Sequence, residues 1–208
     1  MNNLNEQLPN LLQKKYWLNS MKKLKETKSI VLASIFIAMM IVVNIYGVLL
    51  NIELLGNKVY FEYIPAAICS LVLGPIIGIM AGAISDIVGF IIMPGGYPFF
   101  FGYTISAILS SLIYALFLHS TKITISKIIG AKLTVNLFVN VFLGSLWRVM
   151  MINNYSLYWK FFSLSITKNL IILPFEVAIL FLILKYLIPI SKTMQILNPN
   201  IPSEIKFL

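Results

Sequence analysis

Six long apolar stretches follow one another along this sequence. They lie at about 29–50, 59–73, 75–93, 99–118, 133–152 and 164–188. About 20 apolar residues are enough for a helix to cross the hydrocarbon core of a bilayer. The stretches are continuous and do not alternate over ten residues, which argues against a membrane β-barrel. We therefore predict an all-α membrane protein with six transmembrane helices.

The composition agrees with this prediction, because 59% of the 208 residues are hydrophobic and only 11% are charged. Soluble domains carry about 25% charged residues. Turn signals separate the stretches: Gly74 and Pro75 favour a tight turn, and the segment 94–98 contains two prolines and two glycines that cannot continue a helix.

The net charge of +9 is explained by topology, since cytoplasmic loops of membrane proteins are rich in Lys and Arg. If both termini are cytoplasmic, twelve of the sixteen cations lie inside. Six precede residue 29, and the others are Lys122, Lys127, Lys132, Lys185, Lys192 and Lys206. We therefore predict cytoplasmic N- and C-termini, and the charge does not indicate nucleic-acid binding.

Three parts are predicted along the chain: a basic amphipathic N-terminal cytoplasmic segment at 1–28, a six-helix domain at 29–190 and a cytoplasmic tail at 191–208. In the first segment, lysines alternate with apolar residues that include Trp17 and Met21. This pattern fits an amphipathic helix on the anionic inner leaflet, or alternatively a disordered basic tail.

Signatures of catalysis are missing from the sequence. It contains no phosphate-binding G-x-x-x-x-G-K-[ST] loop, and His119 and Cys69 are too few for a zinc site made by protein alone. We expect His119 at the membrane interface. Ionisable residues within spans have functional or pairing roles, but no pair of them has a spacing that marks a reaction. We expect no metal, no cofactor and no enzymatic activity in this chain.

Small residues recur in two places. Gly74, Gly78 and Gly82 lie at four-residue intervals, with Asp86 next on the same face. This spacing allows helices to approach closely, so we predict packing within the bundle, with Asp86 facing protein. In the first span, small side chains form a flat patch that could pack internally or meet another membrane subunit. This patch consists of Ala33, Ser34 and Ala38.

The predicted outer half of the bundle holds the candidate binding residues. Around the Pro/Gly segment the rings are Tyr97, Phe99, Phe100 and Tyr103. They could form an aromatic belt, or an ordered loop over a flat ring system. Further along the chain, Asn140, Trp147, Arg148 and Lys168 add an amide, a stacking face and two cations. Asn140 and Asn136 could equally join helices. Together these residues suit a ligand with an aromatic ring and carboxylates.

Several of these motifs have a recognisable order. They are FEYIP at 61–65, LGPIIG at 73–78, GAISDIVG at 82–89, MPGGYPF at 93–99, GYTISA at 102–107 and LIYALF at 112–117. With Asn136, Asn140 and KNLIILP at 168–174, this order resembles the folate-family substrate-binding (S) component of energy-coupling factor (ECF) transporters.

The resemblance implies a multi-pass subunit of the cell membrane that captures a vitamin, folate by preference, from outside. A transmembrane coupling protein and two cytoplasmic ATPases would be its partners, and ATP would be used only by those ATPases. The patch of Ala33, Ser34 and Ala38 is similar to the surface with which S components meet the coupling protein.

The sequence departs from the family pattern near the last span. Ser163 and Ser165 stand where the family commonly has Pro and Arg, and Trp147 and Arg148 are additions that could compensate. Another pterin-like or heteroaromatic vitamin is therefore an alternative ligand. A stand-alone secondary transporter is a second alternative. A third is an intramembrane enzyme that uses Asp86 or Glu176 as general acid or base.

Overall fold

The computed structural model describes residues 14–50, 53–54, 57–58, 60–94, 98–194, 196–197, 202 and 205. Its helices are α1 (Lys14–Lys23), α2 (Thr27–Leu50), α3 (Tyr63–Leu73), α4 (Pro75–Ile92), α5 (Phe101–Leu118), α6 (Ile125–Thr134), α7 (Gly144–Ile152) and α8 (Tyr158–Thr193). A π-helical segment, Val135–Leu143, joins α6 to α7 without a break, and a 3₁₀ turn at Tyr155–Leu157 precedes α8. Two short antiparallel strands, β1 (Glu53–Leu54) and β2 (Asn57–Lys58), pair Glu53 with Lys58.

The helices confirm the predicted all-α membrane architecture. Five stretches of the described residues are long and apolar enough to cross a membrane. They are Thr27–Gly47, Pro75–Ile92, Phe101–Leu118, Ile125–Ile152 and Tyr155–Thr193. The remaining predicted span, which is the second along the sequence, corresponds to α3 and has only 11 residues. At 1.5 Å per residue it covers about half of a ~30 Å hydrocarbon core.

The predicted start of the fifth span, near residue 133, is wrong. The helix begins at Ile125, because Thr124 caps its N-terminus and accepts a hydrogen bond from the Lys127 backbone N–H. Lys127 and Lys132 therefore lie on a helix and not in a connecting loop. The sequence predicts loop charges here, because nothing local shows that Lys132 has a partner.

The core of the bundle surrounds the short helix α3. Ten of its residues are buried, and Ala67, Cys69 and Leu71 are completely inaccessible. Helices α2, α4 and α5 pack around it. An apolar helix covered on all sides does not need to span the bilayer by itself, since its neighbours separate it from lipid.

The glycines of α4 confirm the predicted packing role at two positions. A Cβ atom at Gly78 would lie 2.7 Å from Ser70 Oγ, and one at Gly82 would lie 2.8 Å from the carbonyl oxygen of Ala107. At Gly89 nothing lies within 4 Å. Asp86 faces protein as predicted, since Thr104 Oγ1 donates a hydrogen bond of 2.6 Å to its Oδ2.

The C-terminal end of α3 is capped by other parts of the chain. The last four carbonyls of a helix have no partner within it. Here Ser70 O accepts from the Gly74 N–H at 3.1 Å, and Leu71 O accepts from His119 Nδ1 at 2.7 Å. The remaining two accept from α1: Val72 O from Lys23 Nζ at 2.7 Å, and Leu73 O from Ser20 Oγ at 3.4 Å.

His119 caps the end of α5 and is buried against the rest of the bundle. Its pKa is lowered from 6.5 to about 4, mainly by burial and in second place by the charge of Lys23. The ring is therefore neutral at pH 7, and its Nδ1–H donates to the carbonyl of Leu71. Burial also lowers the pKa of Lys23.

These contacts bring α1, the turn between α3 and α4, and the end of α5 to one end of the bundle. Tyr16 adds a buried hydrogen bond of 3.0 Å to Ala115 O on α5. Six alternating spans require these elements to share a side, so the contacts agree with the predicted topology. Within the described residues, the N-terminal segment is a helix docked on the bundle.

Candidate substrate-binding site

An aromatic cluster forms where α5 begins. The Phe100 ring lies 5.8 Å from the Trp147 ring and 5.9 Å from the Tyr103 ring, measured between centroids. Trp147 Nε1 donates a hydrogen bond of 2.9 Å to Ser106 Oγ, which fixes the indole on α5. The structure therefore brings together three of the predicted ring residues, Phe100 and Tyr103 at the start of α5 and Trp147 on α7.

Gly102 makes this cluster possible. A Cβ atom there would lie 2.3 Å from the Phe100 ring and 2.6 Å from the Trp147 ring. Contacts this short force the rings to move, so the close approach depends on glycine at this position.

Two other predicted rings are outside this cluster. Phe99 packs on Phe90 of α4, with ring centroids 5.2 Å apart, and 44% of Phe99 is exposed. Tyr97 lies outside the described residues, so its predicted role stays a prediction.

The two predicted cations lie on neighbouring helices. Arg148 follows Trp147 on α7, and its guanidinium carbon lies 5.9 Å from the centre of the Phe161 ring. Lys168 is on α8, and its charge interacts with that of Arg148. Both side chains are half-buried. Two like charges in one region make it suitable for an anion.

Asn140 belongs to a polar chain that runs into the core. Its Nδ2 donates to Asn136 Oδ1 at 3.1 Å, and Asn136 Nδ2 donates to Glu176 Oε2 at 2.7 Å. Glu176 Oε1 forms an ion pair of 3.0 Å with Lys132 Nζ. The ammonium of Lys132 also lies 3.5 Å from the centre of the Tyr63 ring.

This row of polar contacts shows that the prediction of Lys132 as a cytoplasmic orientation charge is wrong. Only 1% of Lys132 is exposed, and a buried cation requires a partner. Sequence reasoning noticed the four-residue spacing of Asn136 and Asn140 but left Asn136 and Lys132 out of the candidate site. Their connection through Glu176 on α8 has no local signal.

The π-helical segment connects the two groups. It carries Asn136 and Asn140, follows α6 with Lys132, and leads into α7 with Trp147 and Arg148. Segments of π-helix within α-helices are frequent at functional sites. One continuous helix therefore supplies an amide, a ring and a cation.

The small-residue patch of α2 is partly available at the surface. Ser34 and Ala38 are exposed, whereas Ala33 packs against the core. Ser34 Oγ donates to Ile30 O at 3.0 Å, so its polar atom is satisfied within its own helix. The surface left by Ser34 and Ala38 is small and apolar, as a helix contact in a membrane requires.

A bundle of apolar helices with rings and cations at one end defines a multi-pass membrane protein with a candidate site for an aromatic anion. Residues 24–194 match the family model described as the ECF-type riboflavin transporter, S component. The chain belongs to this family of transporter subunits.

Two curated relatives are each described as the folate transporter FolT. The one from Clostridium novyi (strain NT) is 30% identical over 114 residues, which are 54% of this chain and 66% of the relative. The one from Leuconostoc mesenteroides subsp. mesenteroides is 30% identical over 164 residues, which are 76% of this chain and 85% of the relative.

A solved structure described as FolT bound with folic acid has a similar fold. Its TM-score is 0.67 at 27% sequence identity, and the match covers 74% of this chain and 91% of that chain. The predicted S-component fold is thereby confirmed.

Proposed function

We propose that this chain is the substrate-binding subunit of an ECF-type vitamin importer in the cell membrane, and that folate is the vitamin. The observation that carries this proposal is the ring pair of Phe100 and Trp147 beside Arg148, whose charge interacts with that of Lys168. Folate combines a flat heteroaromatic ring with two carboxylates. Rings stack on aromatic side chains, and an arginine can bind a carboxylate with two hydrogen bonds.

Arg148 supports folate in spite of the departure near the last span. The resemblance implies that Ser165 stands where the family commonly has Arg, and Ser165 lies one helical turn before Lys168 on α8. Because Arg148 and Lys168 interact, α7 brings a guanidinium into the region where α8 lacks one. The names of the two relatives and the folic acid of the similar structure also support folate.

Energy for transport comes from partner subunits under this proposal. The chain has no phosphate-binding loop of its own, so a coupling protein and two cytoplasmic ATPases supply the ATP-driven step. The exposed Ser34 and Ala38 of α2 are the proposed contact with the coupling protein. A stand-alone secondary transporter would instead take up substrate in proteoliposomes with an ion gradient alone.

Riboflavin is the second candidate ligand, because the matching family description names it. It has a flat ring system but no carboxylate. Loss of a cation therefore distinguishes the two vitamins: it weakens the binding of folate and leaves the binding of riboflavin nearly unchanged.

The test is a calorimetric titration of the purified chain with folic acid, in detergent and without ATP. We expect Arg148→Ala and Lys168→Ala each to weaken folic acid binding about 10- to 100-fold, because hydrogen bonds to charged groups contribute about 1.5–3 kcal/mol. Lys185→Ala is the matched control, since Lys185 is exposed further along α8. Unchanged affinity in both variants would overturn the assigned role of the cations.

A further inference from the structure

Helix α1 presents two different sides. Tyr16, Ser20 and Lys23 face the bundle, where they bond to carbonyls of α5 and α3. These contacts fix the rotation of the helix, since residues three and four apart share a face. The side that points away from the bundle is therefore also defined.

The side opposite the bundle combines apolar and basic residues. Leu18 is 42% exposed and Met21 is 52% exposed. Lys14, one turn before Leu18, and Lys22, one turn after it, are also exposed. The helix contains no acidic residue. Apolar side chains flanked by lysines are typical of helices that lie in the interface of an anionic bilayer.

The position of α1 agrees with such an interface. It ends at Lys23, and the membrane span of α2 begins at Thr27. Two exposed apolar residues, Ile30 and Val31, follow as the fourth and fifth residues of α2. A helix that ends so close to the start of a span lies at the level where hydrocarbon meets headgroups.

The comparison with the family separates lipid from a shared protein partner. The family match begins at residue 24, directly after α1. A surface for the subunits that S components share would be expected within the matched region. The exposed side of α1 lies outside that region, and its charges complement anionic headgroups.

We propose that α1 binds anionic phospholipids of the inner leaflet and thereby anchors the cytoplasmic end of the bundle in the bilayer surface. Leu18 and Met21 enter the acyl boundary, and Lys14 and Lys22 contact the phosphates. The inward side of the helix transmits this anchoring to α3 and α5. The proposal is independent of the transported vitamin.

The test uses the full chain with a nitroxide label, reconstituted in nanodiscs of phosphatidylcholine with or without phosphatidylglycerol. One label is placed at Met21→Cys and a matched one at Asn19→Cys, an exposed polar position on the same helix. Both carry Cys69→Ala, so that the native cysteine, which is buried in the core, cannot take up the label. Collision rates with oxygen and with a water-soluble nickel chelate report the depth of each label.

We expect the label at position 21 to collide with oxygen and to be shielded from nickel, and the label at position 19 to show the reverse. Phosphatidylglycerol shifts label 21 deeper, and Lys14→Gln with Lys22→Gln abolishes that shift. Each lysine near an anionic surface changes binding about five-fold. Lys160→Gln on α8 is the charge control and leaves the shift intact.

Equal depth of both labels, or a label at position 21 that stays accessible to nickel in both lipids, would overturn the proposal. Such accessibility in lipid alone would point to a protein partner for this side of α1. A phosphatidylglycerol shift that persists in the double lysine variant would overturn the role of Lys14 and Lys22. Elution as a single species and an unchanged Tm confirm that each variant is folded.

Discussion

The two ends of α5 belong to two regions that treat polar groups differently. At its C-terminal end, His119 joins Ser20 and Lys23 in capping the carbonyls of α3, and every one of those carbonyls has a partner. At its N-terminal end, Phe100 meets Trp147 beside Arg148, while Tyr103 stays 39% exposed. The first region is closed by its own chain, whereas the second presents rings and cations at a surface.

The chain thus separates the residues that stabilise the bundle from those that could bind a ligand. Buried polar groups that are fully paired hold helices in one arrangement. Partly exposed rings and half-buried cations can instead exchange solvent for a ligand. The ion pair of Lys132 and Glu176 lies between these roles, because it is buried but continues through Asn136 to Asn140.

The largest effect is expected from breaking the ion pair between Lys132 and Glu176. Lys132→Met leaves the carboxylate of Glu176 buried without its cation, which costs about 3–5 kcal/mol in the free energy of unfolding. Lys132→Met combined with Glu176→Gln removes both charges and recovers a large part of that loss. Unfolding in detergent micelles measures both. A single variant within about 1 kcal/mol of wild type would show that the pair is not a structural element.

The capped end predicts a dependence of stability on pH. The pKa of His119 is lowered from 6.5 to about 4 in the folded protein. As pH falls below 6.5, His119 binds a proton in the unfolded chain but not in the folded chain. The free energy of unfolding therefore declines until pH reaches about 4. The loss attributable to this residue approaches ~3 kcal/mol.

His119→Gln tests that dependence, because glutamine keeps a donor for Leu71 O but does not titrate. The difference in unfolding free energy between wild type and variant is measured across this pH range. The decline in stability at acid pH that is due to His119 should be absent from the variant, while the affinity for folic acid at neutral pH is unchanged. Identical acid limbs in the two proteins would contradict the neutral cap.

A smaller effect, confined to the open region, is expected for Gly102→Ala. The new methyl group pushes Phe100 and Trp147 apart, since the Cβ position lies 2.3 Å and 2.6 Å from their rings. We expect about ten-fold weaker folic acid binding, equivalent to ~1.4 kcal/mol. Calorimetric titration below the Tm measures it.

Gly89→Ala is the matched control, because nothing lies within 4 Å of its Cβ position and it also lies in a helix. It should keep full affinity and gain about 0.5–1 kcal/mol of stability from the better helix former. Equal affinities in the two variants would show that the spacing of the rings is irrelevant to the ligand.

Features with a local signal could be predicted from the sequence. Continuous apolar runs located the spans, and Gly74 with Pro75 located the turn between α3 and α4. The four-residue interval of Gly78 and Gly82 indicated close packing, because that interval repeats on one helix face. The candidate site was predicted only as a set of residue types suited to an aromatic anion.

Contacts between distant segments could not be predicted. The sequence around Lys132 predicts a loop charge, because only the packing of α6 against α8 places Glu176 beside it. Likewise, the basic N-terminal segment gives no sign that Ser20 and Lys23 reach the end of α3. The contact between Phe100 and Trp147 depends on how α5 and α7 pack together, which the sequence does not show. The π-helical segment has no sequence pattern that we recognise.

The most direct test of the proposed function is a calorimetric titration of the purified wild-type chain with folic acid and, separately, with riboflavin, in the absence of ATP. We predict saturable binding of one folic acid per chain, tighter than any binding of riboflavin. No heat of binding with folic acid at micromolar concentration, or tighter binding of riboflavin, would contradict it.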